Sequence, residues 1–200
     1  GIMAQDRKEN RPRRGISPRT GKILTGAFAT MMAIGIPTVL NNRDRTEINL
    51  LGAEIRQQLD PLSPAGREKY FTGKVDEIIR EHVKPKMYYE PHQFAHDDAL
   101  RSHQIVALVT ELLRQPEPTQ NAVDVALREW LSRVDDVSAL PDFIYGNPAE
   151  DTALARKKTE FSEELQFPDG RRNIQVKITS AVTDLAQTIN QVRQQSASRE

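Results

Sequence analysis

Apolar residues recur in steps of three and four along most of the chain after residue 45. This spacing places them on one face of an α-helix. Ser63-Pro64 is a typical helix start, with a capping residue followed by proline, and Asp60-Pro61 and Pro85 are stop signals. The chain is therefore predicted to be an all-α helical bundle of about five to six helices. We expect these at residues 46–59, 64–84, 91–115, 119–134, 148–165 and 172–195.

The last segment has the most regular pattern. Its apolar positions alternate four- and three-residue steps, as in a heptad seam, and they are Ile174, Ile178, Val182, Leu185, Ile189 and Val192. A seam of this length favours packing against the chain's own helices, and pairing with a partner chain is the alternative. Pro168-Asp169-Gly170 predicts a turn before the segment, and the alternation of residues 174, 176 and 178 leaves a short strand as a local alternative.

The N-terminal 40 residues differ from the rest. Residues 1–22 hold seven basic and two acidic side chains, a net charge of +5, and very few apolar ones. Residues 23–42 have no charge, and residues 23–40 are all apolar or small, which is the lower limit of length for crossing a bilayer. The predicted organisation is a flexible basic arm at 1–22, an apolar segment at 23–42, a helical domain at 43–195 and a polar tail at 196–200.

Three interpretations of residues 23–40 follow from this pattern. An uncharged span behind a basic arm predicts a single-pass membrane helix, with the N-terminus cytoplasmic and the helical domain extracytoplasmic. Ala33 and Gly35 offer the small residues of a cleaved secretory signal. A buried helix of a soluble bundle is the third interpretation. We expect the membrane helix, with a soluble cytoplasmic or a secreted protein as the alternatives.

Charge and composition exclude several classes of function. The whole chain balances 28 basic against 28 acidic residues, and it contains no cysteine. A disulfide framework, a thiolate metal site and a cysteine nucleophile are therefore excluded.

Because the basic arm adjoins an apolar span, anionic lipid is a better partner for it than nucleic acid. Residues 15–22 resemble a phosphate loop, but five residues separate their glycines where that loop needs four.

The four histidines fall between residues 82 and 103, and they are the best candidates for chemistry. On a helix His92 and His96 are one turn apart, and Asp97 could assist them in holding a metal ion. The order of histidines and aspartates along the chain also resembles, in outline, that of metal-dependent phosphohydrolases. It runs from His82 or His92 through His96-Asp97 to Asp135 or Asp136. The alternative is a solvated polar face opposite the apolar face of the same helix. We favour that alternative and assign no catalytic, cofactor or metal site.

The function predicted from the sequence is a non-enzymatic, membrane-tethered helical interaction protein, a subunit or accessory component of a larger complex. Its predicted partner surface is the C-terminal helix, at Ile178, Val182, Leu185 and Ile189. One alternative is a soluble metal-dependent hydrolase that uses His92, His96 and Asp97. A secreted effector-like protein that acts on a partner is the other.

Overall fold

The computed structural model describes residues 41–84 and 91–198, and for residues 91–99 it describes the backbone alone. All the secondary structure in these ranges is helical, which confirms the all-α prediction. The helices are α1 (Asn42–Leu59), α2 (Pro64–Val83), α3 (Pro91–Leu113), α4 (Glu117–Ser132), α5 (Leu140–Tyr145), α6 (Ala153–Glu164) and α7 (Pro168–Ser198). A 3₁₀ turn (Val137–Ala139) separates α4 from α5.

The predicted basic arm and the apolar segment at residues 23–40 lie outside the described residues. None of the helices between residues 41 and 198 that the structure describes has the length and apolar character needed to cross a bilayer. Whether residues 23–40 do so therefore stays a prediction.

Local capping explains where the first two helices begin. Asn41 and Asp44 form a capping box, in which the Asp44 amide donates to Asn41 Oδ1 at 2.8 Å. This box starts α1 four residues before the predicted position. The Ser63 hydroxyl accepts a hydrogen bond from the Gly66 amide at 3.1 Å, and Pro64 is the first residue of α2, as predicted.

The start of the C-terminal helix was predicted wrongly. Residues 168–170 do not form a loop before the helix; they are the first three residues of α7. The strand alternative is also wrong, since α7 continues through residues 174–178 and Val176 is 45% exposed while Ile174 and Ile178 are fully buried. The helix extends through Ser198, so most of the predicted polar tail is helical and exposed.

Helix α7 lies at the centre of the bundle and contacts α2, α3 and α4. Six consecutive residues, 180–185, are buried, and successive residues of a helix point about 100° apart, so α7 is enclosed on every side there. The predicted seam lies inside this core, with Ile178, Val182, Leu185 and Ile189 all buried. These side chains stabilise the chain's own fold, so in this fold they are not exposed to a partner.

Pairs of contacts fix the directions of the helices. Asp44 and Arg56 of α1 contact His103 and Glu111 of α3, so α1 and α3 run parallel. Near the start of α7, Gln175 donates to the carbonyl of Val134, two residues beyond the end of α4. Near the end of α7, Arg193 donates to Gln120 in the first turn of α4. Helices α4 and α7 are therefore antiparallel.

An aromatic cluster anchors α5, which the sequence analysis did not predict. Phe143 meets the edge of Trp130 with ring centroids 5.1 Å apart. The Arg80 and Arg133 guanidinium groups lie 4.6 and 3.8 Å from the centre of the Phe143 ring, within cation–π range. Trp130 is buried, and its indole N–H donates to Asp76 Oδ1 at 2.8 Å. Residues of α2, α4 and α5 are thus held together at one site.

Gly170 allows α7 to begin with only three residues between it and the end of α6. A Cβ at this position would lie 2.1 Å from the Glu164 carbonyl oxygen, a backbone atom that cannot move independently of α6. We predict that Gly170→Ala lowers the free energy of unfolding by about 1–3 kcal/mol, as overpacking does. Urea denaturation followed by circular dichroism measures this change.

The control is Gly73→Ala in α2, where an added Cβ meets no atom within 4 Å. Alanine there is expected to raise stability by roughly 0.5–1 kcal/mol through helix propensity. If both variants are stabilised, the α6–α7 connection differs from the one described.

Candidate functional site

A groove separates α1 from α2. Helix α1 packs mainly on α3, whereas α2 packs on α4 and α7, so the two helices diverge from the short turn that joins them. Near this turn the Tyr70 hydroxyl of α2 donates a hydrogen bond to Gln58 Oε1 of α1 at 2.7 Å. The space between the two helices has a volume of about 540 Å³, and α3 forms its floor.

The groove combines an apolar floor with a charged rim. Its aliphatic lining residues come from three helices and are Leu51, Ile55, Ile78, Ile105 and Leu108. Its charged lining residues are Glu54, Lys74, Glu77, Glu81 and Arg101. Leu51, Ile55 and Ile78 are half-buried, so the groove leaves part of their apolar surface open to an additional partner.

An ion pair with a buried carboxylate holds α1 on α3. Arg56 Nη1 lies 2.6 Å from Glu111 Oε2, and the Glu111 side chain is only 3% exposed. Gly52 permits this approach, because a Cβ there would already lie 3.1 Å from the same carboxylate oxygen. Arg114 Nε is a second cation, 3.8 Å from that oxygen. The buried Glu111 carboxylate is thus paired with two arginines whose side chains reach solvent, Arg56 at 46% and Arg114 at 63% exposure.

His103 forms a second polar link between α3 and α1. Its Nε2 lies 3.0 Å from Asp44 Oδ1, and its Nδ1 lies 2.9 Å from Glu47 Oε2, although that second contact lacks hydrogen-bond alignment. The prediction of a solvated face is wrong for His103, because α1 covers the side of α3 that the sequence suggested was exposed.

Tyr70 lies where the rim and the closed end of the groove meet. Burial raises the pKa of the Tyr70 phenol, and the negative charge of Glu77 raises it further. The phenol is therefore neutral at pH 7, and its hydroxyl donates the hydrogen bond to Gln58 Oε1. Lys74 lies 3.5 Å from Glu77 and 5.6 Å from the centre of the Tyr70 ring, so its charge already has local partners.

The candidate metal ligands considered from the sequence are described in part. Helix α3 begins at Pro91, which places His92 and His96 one turn apart as predicted, but the side chains of His92, His96 and Asp97 lie outside the described residues. Asp135 and Asp136 are exposed beyond the end of α4. Among the side chains that the structure describes, no three His, Asp or Glu groups could hold one metal ion. The alternative of a metal site at His92 and His96 is therefore not tested by the described side chains.

The groove is not apparent from the sequence. Leu51 and Ile55 share the three- and four-residue spacing of Ile48 and Leu59, and periodicity assigns a face of this kind to the core. In the structure Ile48 and Leu59 are buried, while the other two residues line the groove. On a helical wheel Leu51 and Ile55 lie at one edge of the apolar face of α1. This edge position is the one feature of the sequence that could have pointed to the groove.

No protein-family model, curated protein or solved structure matches this chain. The function must therefore be inferred from the groove and from the helices that form it.

The Arg56–Glu111 pair gives a prediction about how α1 is held. We expect Arg56→Ala to lower the free energy of unfolding by about 1–3 kcal/mol, because it leaves a buried carboxylate without its nearest cation. Adding Glu111→Gln to this variant removes the buried charge and should recover part of the loss. Urea denaturation of the two single variants and the double variant measures the coupling.

Lys74→Ala is the matched control, since the Lys74–Glu77 pair is solvent-exposed and such pairs contribute roughly 0–1 kcal/mol. An Arg56→Ala variant as stable as Lys74→Ala would contradict the assigned role of the Arg56–Glu111 pair.

Proposed function

We propose that this protein is a non-enzymatic, membrane-tethered helical interaction protein, a subunit or accessory component of a larger complex. The observation that supports this proposal is the groove between α1 and α2, with its aliphatic floor and charged rim. Apolar centres surrounded by polar rims are the usual anatomy of protein–protein contacts. Grooves between helices commonly receive a further helix through its apolar face.

The partner surface is thus assigned to the groove and no longer to the seam of α7. Seam residues such as Leu185 are buried among the chain's own helices, whereas Leu51, Ile55 and Ile78 are half-buried at the groove. A partner that covers these three side chains would remove apolar surface from water without unfolding the bundle, at roughly 25 cal/mol per Å².

The tether in this proposal is the apolar segment at residues 23–40. It directly precedes α1, so a membrane helix there would bring the first turn of α1 and the adjacent mouth of the groove near the bilayer. The basic arm at residues 1–22 would stay on the cytoplasmic side, and the helical domain would lie on the other side. A partner in the same membrane could then reach the groove.

Membrane attachment is tested with a charged double variant. We expect the wild-type protein to remain in the membrane fraction after alkaline-carbonate extraction. Ala29→Arg with Ile34→Arg should release it, because each charge costs roughly 2.5–3.5 kcal/mol on the insertion scale.

The control carries two arginines at positions that are each 45% exposed, Leu154→Arg with Val176→Arg, and it should stay with the membrane. A wild-type protein released by carbonate would contradict the tether.

The interaction is tested by the mass of the native assembly. In density-matched detergent, sedimentation of the protein extracted from its native membrane should give a protein mass above the 22.6 kDa of one chain. Leu51→Lys with Ile78→Lys should reduce it to one chain while circular dichroism stays unchanged.

Lysines at two exposed sites away from the groove, Val125→Lys with Leu154→Lys, should leave the assembly intact. The proposal fails if the wild-type protein sediments as a single chain, or if the groove variant keeps the larger mass.

A further inference from the structure

We infer that the groove binds a basic amphipathic helix, with an apolar stripe for the floor and lysine or arginine on its flanks. This inference rests on the proposed interaction function and names the class of partner. It depends on the shape of the groove, the position of its apolar residues and the sign of its rim charges.

The shape of the groove suits a helix about three turns long. The lining residues of α2 run from Tyr70 to Glu81, which spans about 16 Å at the helical rise of ~1.5 Å per residue. The lining residues of α1 run from Leu51 to Gln58 on the opposite wall. A helix laid between these walls would rest on α3 and fill the position of a missing neighbour.

The apolar residues form a continuous track along this floor. Leu51 and Ile55 are one turn apart on α1, and Ile105 and Leu108 are three residues apart on α3. Side chains at these spacings lie on one face of their helix. A partner with apolar residues at the same helical intervals would match the track, which is how helices bind in grooves.

The rim charges favour a cationic partner. Three carboxylates line the groove, and they belong to Glu54, Glu77 and Glu81, against two cations. Both lining cations have interactions within the chain: Lys74 lies 3.5 Å from Glu77, and Arg101 has a contact of its own. Glu81 is also paired, with Lys84 at 3.6 Å, but the Glu77 and Glu81 side chains stay 65% and 60% exposed, and such surface pairs are weak. The lining therefore has a net charge of −1 with its carboxylates open to solvent, and lysine or arginine on the flanks of a partner helix would complement it better than acidic residues.

The chain's own basic arm meets only half of these requirements. Residues 1–22 supply cations, but they contain very few apolar residues to cover the floor. A nucleic acid or a free phosphate would leave the floor uncovered and would meet carboxylates at the rim. A basic amphipathic helix satisfies both surfaces at once.

The test uses the full chain in nanodiscs of zwitterionic lipid and two fluorescent 14-residue peptides. One peptide combines a leucine stripe with lysine flanks, and the other replaces every lysine with glutamate. Fluorescence anisotropy, with binding to empty nanodiscs subtracted, gives each Kd. We expect the lysine peptide to bind at least tenfold more tightly than the glutamate peptide.

Two triple variants with the same change in net charge locate the binding site. Glu54, Glu77 and Glu81 are changed to lysine in the first, and this variant should weaken binding of the lysine peptide at least tenfold. The control changes three exposed glutamates outside the groove, Glu129, Glu150 and Glu163, to lysine and should weaken it less than threefold. Circular dichroism of both variants confirms the fold.

Other results overturn the inference in distinguishable ways. Equal weakening by both triple variants would mean attraction by net charge alone. A second such result is tighter binding of the glutamate peptide, with that binding lost in the Leu51→Ala, Ile78→Ala double variant. It would show that the groove binds an acidic helix in place of a basic one. The proposed interaction function would then stand. If neither peptide binds, a basic helix is not the partner, and the mass of the native assembly independently decides the proposed function.

Discussion

The fold depends on the burial of α7. This helix has buried residues on every side between positions 180 and 185, and α2, α3 and α4 all pack against it. Each large aliphatic side chain that α7 buries there, such as Val182 or Leu185, contributes roughly 1.5–3 kcal/mol relative to exposure. The other helices therefore take positions around α7, and the later features of the bundle follow from how they divide its surface.

Helix α1 takes its position from α3. Its main contacts are with α3, where the Arg56–Glu111 pair and the His103 contacts join the two helices. Because α2 is engaged with α4 and α7, α1 and α2 diverge and expose parts of Leu51, Ile55 and Ile78. The groove is thus a consequence of the packing order, and it leaves apolar surface where a further helix could pack.

The parts of the fold that depend on local chemistry could be predicted from the sequence. Ser63-Pro64 starts α2, and the periodic apolar residues of α3, α4 and α7 enter the core, because caps and periodicity act within a few residues. Residues 168–170 were misread as a turn because their placement depends on close contact with the end of α6. Such a contact leaves no mark in sequence periodicity.

The candidate site could not be predicted for a related reason. An apolar stripe on α1 shows that one face is buried, but it does not show which edge meets α3 and which edge remains beside α2. The buried position of His103 depends in the same way on the tertiary placement of Asp44 and Glu47. Pairings between distant segments decided both features, so a helical wheel drawn for one segment missed them.

Amide hydrogen exchange tests most directly the claim that α7 is the centre of the bundle and that α1 is held chiefly through α3. Under native conditions in low denaturant, amides at residues 178–189 should exchange only through global unfolding, and those of α1 should exchange through a local opening of lower free energy. Opening of α1 should leave the protection of α2 and α7 unchanged. Equal exchange free energies for α1 and α7 would contradict this account, as would earlier exchange of α7.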